Sequence, residues 1–286
     1  MLFRSVDDYP TRLLQTLMSL APKKCDSSVP TVVLLTPGHL NSAYYEHTFL
    51  SDQMGIEMVE AQDLFVENDF LYMKTVDGPK KIDVVYRRID DDYLDPLAYN
   101  PNSVIGVPGI THVYKTGGVN ICSAPGAGIA DDKAVYIYVP EMIKFYLGET
   151  PILDNVQTWR CERDDDLKYV LENIDELVIK EVDGSGGHGM LIGPKSTKQE
   201  IEDFSSKLKL HPEGYIAQPT LDLSSSPTLI DNEISGRRVD LRPFCLLGEK
   251  VQLCPGGLTR VALGKGSYVV NSSQGGGVKD TWVLAD

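Results

Sequence analysis

The sequence predicts an α/β fold on three observations. Short apolar, β-branched runs, TVVLLTP at 31–37, IEMVE at 56–60 and IDVVYRR at 82–88, alternate with helical stretches. Between 176 and 218 a strand, a glycine-rich loop, a returning strand, a helix and another strand follow in order. The 286 residues, 42% of them apolar, are enough to bury a core in one or two domains.

The first apolar run closes at Pro37 and Gly38, the punctuation of a buried strand and its exit loop. Asn41 is placed to cap the helix that follows, and Asn68-Asp69 marks a hairpin. Near-helical spacing of Val135, Val139, Met142, Ile143 and Tyr146 predicts a helix from about 131 to 147, kinked or interrupted at Pro140 and ending at Gly148. DDDLKYVLENI then reads as a helix, ELVIKEV at 176–182 as a strand and MLIG as its return. Ser196 with Gln199 makes a capping-box start for a helix to about Leu210, followed by the strand YIAQ at 215–218. Beyond a Ser/Pro-rich connection at 224–227, RVDLRPFCLL and KVQLC read as strands joined tightly at Gly248-Glu249. The end of the helix at 148–151 is the expected lobe boundary, dividing residues 1–148 from 149–286.

A formal net charge of −14, with acidic residues scattered rather than gathered in a tail, argues against a general nucleic-acid binder. No window approaches the roughly 18 to 20 continuous apolar residues of a membrane span. The opening MLFRSVDDYP lacks a signal peptide's apolar centre, so a cytoplasmic location is expected. Cys25, Cys122, Cys161, Cys245 and Cys254 are widely spaced without a CxxC, which suggests thiols rather than a disulfide framework or a zinc site.

The segment VIKEVDGSGGHG places Lys180 on an apolar strand just before Gly184, Ser185, Gly186, Gly187 and Gly189. Backbone N–H groups of such a loop can cradle phosphates while the lysine supplies charge; a plain hairpin turn is the alternative. The loop lacks GxxxxGK[ST] and returns into a strand, so P-loop and Rossmann readings both fail, and no GxGxxG follows the first strand. Asp240 and Arg242, two apart on a strand, share a face and could serve a metal and a phosphate, or form a surface ion pair. Arg260, Asn271 and Gln274 lie in a glycine- and amide-rich stretch suited to a ligand-lining loop or a polar turn. Arg87 and Arg88 should point to opposite faces, so at most one enters a pocket. His39, Asn41, Tyr44, Glu46 and His47 cluster after the first strand, where ligand contact and structural roles both remain open.

Five strings, LTPGHLNSAYYEHTFLSDQMG, VVYRRIDDDYLDPL, GIADDKAVYIYVPEMIKFYLGE, RVDLRPF and VVNSSQGGGVKDTWVL, resemble the circularly permuted ATP-grasp type 2 family. The resemblance implies an ATP-grasp fold with an amino-terminal open α/β lobe, and a ligase that joins a small-molecule or peptide carboxylate to an amine through an acyl phosphate. It further implies that Lys133 and Lys180 hold ATP phosphates, that Gly184 to Gly189 close over them, and that Ala217-Gln218 face the adenine. Asp240 and Asn271 become the Mg²⁺ ligands, with Arg242, Arg260 and Arg88 as catalytic residues. The family's EDN metal string is not found here, so the chain resembles the carboxyl-terminal two-thirds of such a protein. Weak ATP binding and little catalysis are expected unless a separate polypeptide supplies the rest. A non-catalytic nucleotide-binding or scaffolding protein is the alternative.

Overall fold

A computed structural model describes all residues except 1, 2, 5, 185, 187, 188, 272–274, 285 and 286, and only the backbone of 3 and 4. Contacts divide the chain into two compact units: Met1–Gly126 with Pro243–Gly257 and Asp280–Asp286, and Ala127–Arg242 with Leu258–Lys279. The units interleave along the sequence. Residues 127–148 group with the second unit, and the turn of a long carboxyl-terminal hairpin groups with the first.

The first unit begins with β1 (Phe3–Arg4), α1 (Tyr9–Ser19), β2 (Val32–Leu35), α2 (Tyr44–Met54) and β3 (Glu57–Val59). It continues with β4 (Leu64–Glu67), β5 (Phe70–Thr75), β6 (Gly78–Ile82), β7 (Val84–Arg87), α3 (Asp91–Leu94), α4 (Ile110–Lys115) and β8 (Asn120–Cys122). Strands β3, β2, β7 and β8 form a parallel sheet in that order. All four β2 residues are buried, which is why this strand is apolar throughout rather than alternating. Leu34 and Val84 pack on one side with Leu13, Leu17 and Leu50 of the two helices. Val33, Leu35, Val85 and Ile121 face the other side, with Leu71, Ile82 and Ile110. The hairpin between β4 and β5 turns at Asn68 and Asp69, both at positive φ (48° and 63°), as their residue types foretell. Asn41 does not cap α2 directly: the helix starts at Tyr44, and the Asn41 side-chain oxygen Oδ1 accepts the Ala43 N–H at 2.9 Å in the preceding turn.

The second unit holds α5 (Val139–Leu147), β9 (Trp159–Arg160), α6 (Asp164–Glu172), β10 (Leu177–Glu181), β11 (Leu191–Ile192), α7 (Lys198–Leu210) and β12 (Tyr215–Pro219). β11, β10, β12 and β9 form an antiparallel sheet backed by Val170, Ile174, Phe204 and Leu208. Two expectations are corrected here. Residues 127–138 form 3-10 turns, and Pro140 sits in the first turn of α5, where its missing N–H costs nothing, so it starts a helix instead of kinking one. The capping box of α7 is Thr197 with Glu200, one residue later than Ser196 with Gln199.

The remaining strands are β13 (Ser225–Ile230), β14 (Glu233–Leu247), β15 (Val251–Val261) and β16 (Gly277–Leu284), in the order β1-β16-β15-β14-β13. The stretch read as a Ser/Pro-rich connection thus runs into an edge strand, a position that suits Pro227. Among the described residues no helix is long and apolar enough to cross a membrane.

Candidate functional site

The site is built on β10 and β12. Antiparallel pairing sets Lys180 opposite Ile216 and Val178 opposite Gln218, so residues of like parity on the two strands share a face. Lys180 Nζ donates to the Gln218 side-chain oxygen at 2.7 Å, and the Gln218 amide nitrogen donates to the Thr158 hydroxyl at 2.9 Å. On its other side β12 pairs with β9 only through Ile216 and Ala217, which leaves Gln218 beyond the end of that ladder.

Lys180, Gln218, Arg242 and Asn271 line one cavity of about 290 Å³, with Val178, Ile192 and Leu221 among its apolar walls. Burial pushes the Lys180 ammonium below its ordinary value of 10.5, and the positive charge of Lys133 adds to the shift. Its hydrogen-bond acceptor is a neutral amide rather than a carboxylate.

Lys133 lies between the two 3-10 turns. Its N–H bonds the Val182 carbonyl at 3.1 Å, and its Nζ donates to the Gly184 carbonyl and, at 3.4 Å, to that of Val182. It therefore ties residues 127–138 to the start of the glycine loop. That loop wraps Glu181: a Cβ on Gly184 would come within 2.9 Å of the Glu181 Cβ, and one on Gly189 (φ +66°) would fall on the Glu181 carboxylate. Gly186 also takes positive φ, at 68°. Ser185 and Gly187 lie outside the described residues, as does Gln274.

Asp240 and Arg242 pair as alternation along β14 requires, with Arg242 Nε and Nη2 at 3.2 and 3.0 Å from Asp240 Oδ2. The Arg260 N–H donates to Asp240 Oδ1 at 3.2 Å, and Arg260 Nη1 donates to the Asn271 side-chain oxygen at 2.6 Å. The site thus links Arg242, Asp240, Arg260 and Asn271 in one chain of charge-assisted bonds. Among the described residues no cluster of three or more His, Cys, Asp or Glu could hold a metal. Asp240 and Asn271 offer one carboxylate and one amide oxygen. That set fits a Mg²⁺ ion carried mainly by phosphates and does not make an all-protein cage.

Arg88 belongs to the first unit. Its Nη2 donates to Glu46 at 2.7 Å and its Nη1 to the Tyr86 hydroxyl at 3.4 Å. Arg87 turns the opposite way, to the carbonyls of Ser123 (2.9 Å) and Ile89 (2.7 Å). His47 is 1% exposed, its Nδ1 2.9 Å from the Thr36 hydroxyl. Burial lowers its pKa from 6.5, with Arg88 adding to the shift and Glu46 opposing it.

Two contributors escaped the sequence reading. Tyr268 lines the cavity and stacks under Arg238, whose guanidinium lies 3.9 Å from the ring centre, with Lys195 at 5.5 Å. Thr158 orients Gln218. Arg238 shares the parity of Asp240 and Arg242 in RVDLR, which was the available signal for the first; Thr158 had none.

A sequence profile of the circularly permuted ATP-grasp type 2 family matches residues 1–262, and the chain belongs to that family. An uncharacterised protein of Synechocystis sp. strain PCC 6803 is 54% identical over 280 residues, covering 98% of this chain and 58% of that protein. An uncharacterised protein of Mycobacterium tuberculosis H37Rv is 52% identical over 284 residues, 99% of this chain and 51% of that one. A Frankia alni protein named "Putative glutamate--cysteine ligase 2-3" is 40% identical over 274 residues, 96% of this chain and 32% of its own. The first two matches mean that the chain spans about half the length of those curated relatives. Among solved structures, a glutathione synthetase-like effector of Globodera pallida in apo form superposes with a TM-score of 0.56 at 12% identity, over 90% of this chain and 58% of that one. This likeness bears on fold alone and agrees with the α/β, ATP-grasp assignment.

Proposed function

We propose that this chain carries the nucleotide-binding site of an ATP-dependent carboxylate–amine ligase. The reading rests on one observation above the rest: Lys180, half-buried and facing an amide, shares a 290 Å³ cavity with Gln218, Arg242 and Asn271. A partly desolvated cation that faces a neutral amide is costly, and an incoming phosphate would offset that cost. The apolar walls, with Tyr268, suit a flat base.

In this reading Lys180, with Lys133 tying down the loop, takes the phosphate charge, and Arg242 and Arg260 orient the transferring group. Asp240 and Asn271 hold a Mg²⁺ ion, which supplies charge neutralisation to the phosphates when bound; Asp240 turns away from Arg242 to do so. The γ-phosphoryl group passes to a substrate carboxylate oxygen, giving ADP and an acyl phosphate. An amine then attacks the acyl carbon, phosphate leaves, and the amine's proton goes to solvent. The relatives named as glutamate–cysteine ligases favour amino-acid-like partners. Because the chain spans half of its longer relatives, turnover is expected to be low when it stands alone, and a nucleotide-binding scaffold is the second reading.

The test is thermal unfolding of the purified chain with Mg²⁺ and increasing ATP. A binding ligand raises the melting temperature by mass action. A rise in the wild type that is lost in Lys180→Ala supports the assignment; no rise in either, in folded protein, refutes it.

A further inference from the structure

The β14–β15 hairpin buries one face and leaves the other apolar and open. Phe244, Leu246 and Cys254 turn inward beside Leu13, Leu17 and Leu34. The alternate positions Pro243, Cys245, Leu247, Val251 and Leu253 are exposed, the last three by 72, 67 and 62%, as the two-residue period of a strand requires. β16 lies next to β15 in the sheet. The hairpin turn carries Glu249 and Lys250, both exposed. Beside the hairpin lies a groove of about 490 Å³, lined by Cys245 and Leu247 together with Tyr9, Leu13, Leu17 and Tyr114.

An apolar centre, a charged rim and an adjoining groove wide enough for a large side chain make up the anatomy of a protein interface. Contiguous apolar surface of this kind is not kept on a monomer without use. Two facts choose the occupant. Each chain carries a net charge of −14, which opposes pairing of this face with a second copy of itself. The Synechocystis and mycobacterial relatives, of which this chain spans 58% and 51%, carry two-fifths to half of their length beyond the matched stretch. We propose that this face docks polypeptide equivalent to that additional part of the relatives, through an apolar surface of its own and one large side chain seated in the groove. The inference rests on surface chemistry and holds whether or not the nucleotide reading does.

Cys245, an exposed thiol on the face, is a built-in reporter. The 286-residue chain is co-expressed with the non-matching part of the Synechocystis relative, and maleimide labelling is followed by peptide mass spectrometry. The two polypeptides are expected to co-purify, with Cys245 labelling at least ten-fold slower than in the lone chain and Cys25 unchanged. Leu253→Glu should weaken the complex at least ten-fold, whereas Val76→Glu, at a position fully exposed elsewhere, should not. Should the separate part prove insoluble, a cysteine placed in the intact Synechocystis protein at the position matching Leu253 decides the matter: protected if the face is covered there, labelled at the full rate if it is not. Unprotected cysteines in both experiments overturn the proposal. So does a homodimer that protects Cys245 without any partner, since the occupant would then be a second copy.

Discussion

Lys180 and Arg88 are both basic residues at the carboxyl ends of apolar strands, and their surroundings differ in one decisive respect. Arg88 is half-buried and already paired with Glu46 at 2.7 Å. Lys180 is equally half-buried but faces a neutral amide, and partial burial together with Lys133 depresses its pKa. A cation that has its carboxylate is structural by default. One held without a carboxylate at the edge of a cavity stores an affinity for an anion that has yet to arrive. Arg242 falls between the two, paired with Asp240 yet lining the same cavity.

The largest expected effect sharpens this contrast. Lys180→Met should weaken ATP binding by roughly 10- to 100-fold, about 1.5–3 kcal/mol for a lost charge-assisted bond, with no loss of melting temperature, because a partly desolvated charge leaves with it. Calorimetric titration reads the affinity. Between the lowered folded pKa and the ordinary 10.5, the unfolded chain keeps a proton that folded Lys180 releases, so this group makes stability rise with pH across that window. ATP affinity should fall as pH rises through the same window, and Lys180→Arg, which stays charged, should flatten that dependence.

His47 carries the next effect. Its pKa is lowered from 6.5, so below that value the unfolded chain binds a proton that the folded one refuses, and stability falls with pH by up to about 1.4 kcal/mol per pH unit. His47→Gln should flatten the acid limb of a melting-temperature profile. Retention of the slope in the variant would assign it to other groups.

The smallest effect is expected at the other end of the comparison. Arg88→Gln removes a partly exposed ion pair worth about 0.2–1 kcal/mol, and ATP affinity should change less than two-fold. A ten-fold loss there would break the distinction between satisfied and unsatisfied cations.

Much of this was legible in sequence. The strand lysine before a glycine loop, the parity of Asp240 with Arg242 and the family strings together named four residues that line one cavity. Local chemistry encodes such features: alternation puts Asp240 beside Arg242, and only glycine fits where Gly189 meets Glu181. What escaped notice depends on distant partners. β13 looked like a linker because of its serines and Pro227, and its place as a strand is decided by pairing with the distant β14. Tyr268 joins the site only once Arg238 stacks on its ring. The start of α7 slipped by one residue because Ser196 and Thr197 are both good caps, and only Thr197 accepts the Glu200 N–H.

The central claim, that nucleotide phosphates lie against Lys180, is tested most directly by an acyl-phosphate derivative of ATP that transfers its acyl group to the nearest lysine amine. Peptide mass spectrometry of the labelled chain should find the acyl group on Lys180 or Lys133, suppressed by excess ATP. Labelling confined to surface lysines such as Lys250, and indifferent to ATP, would contradict the account.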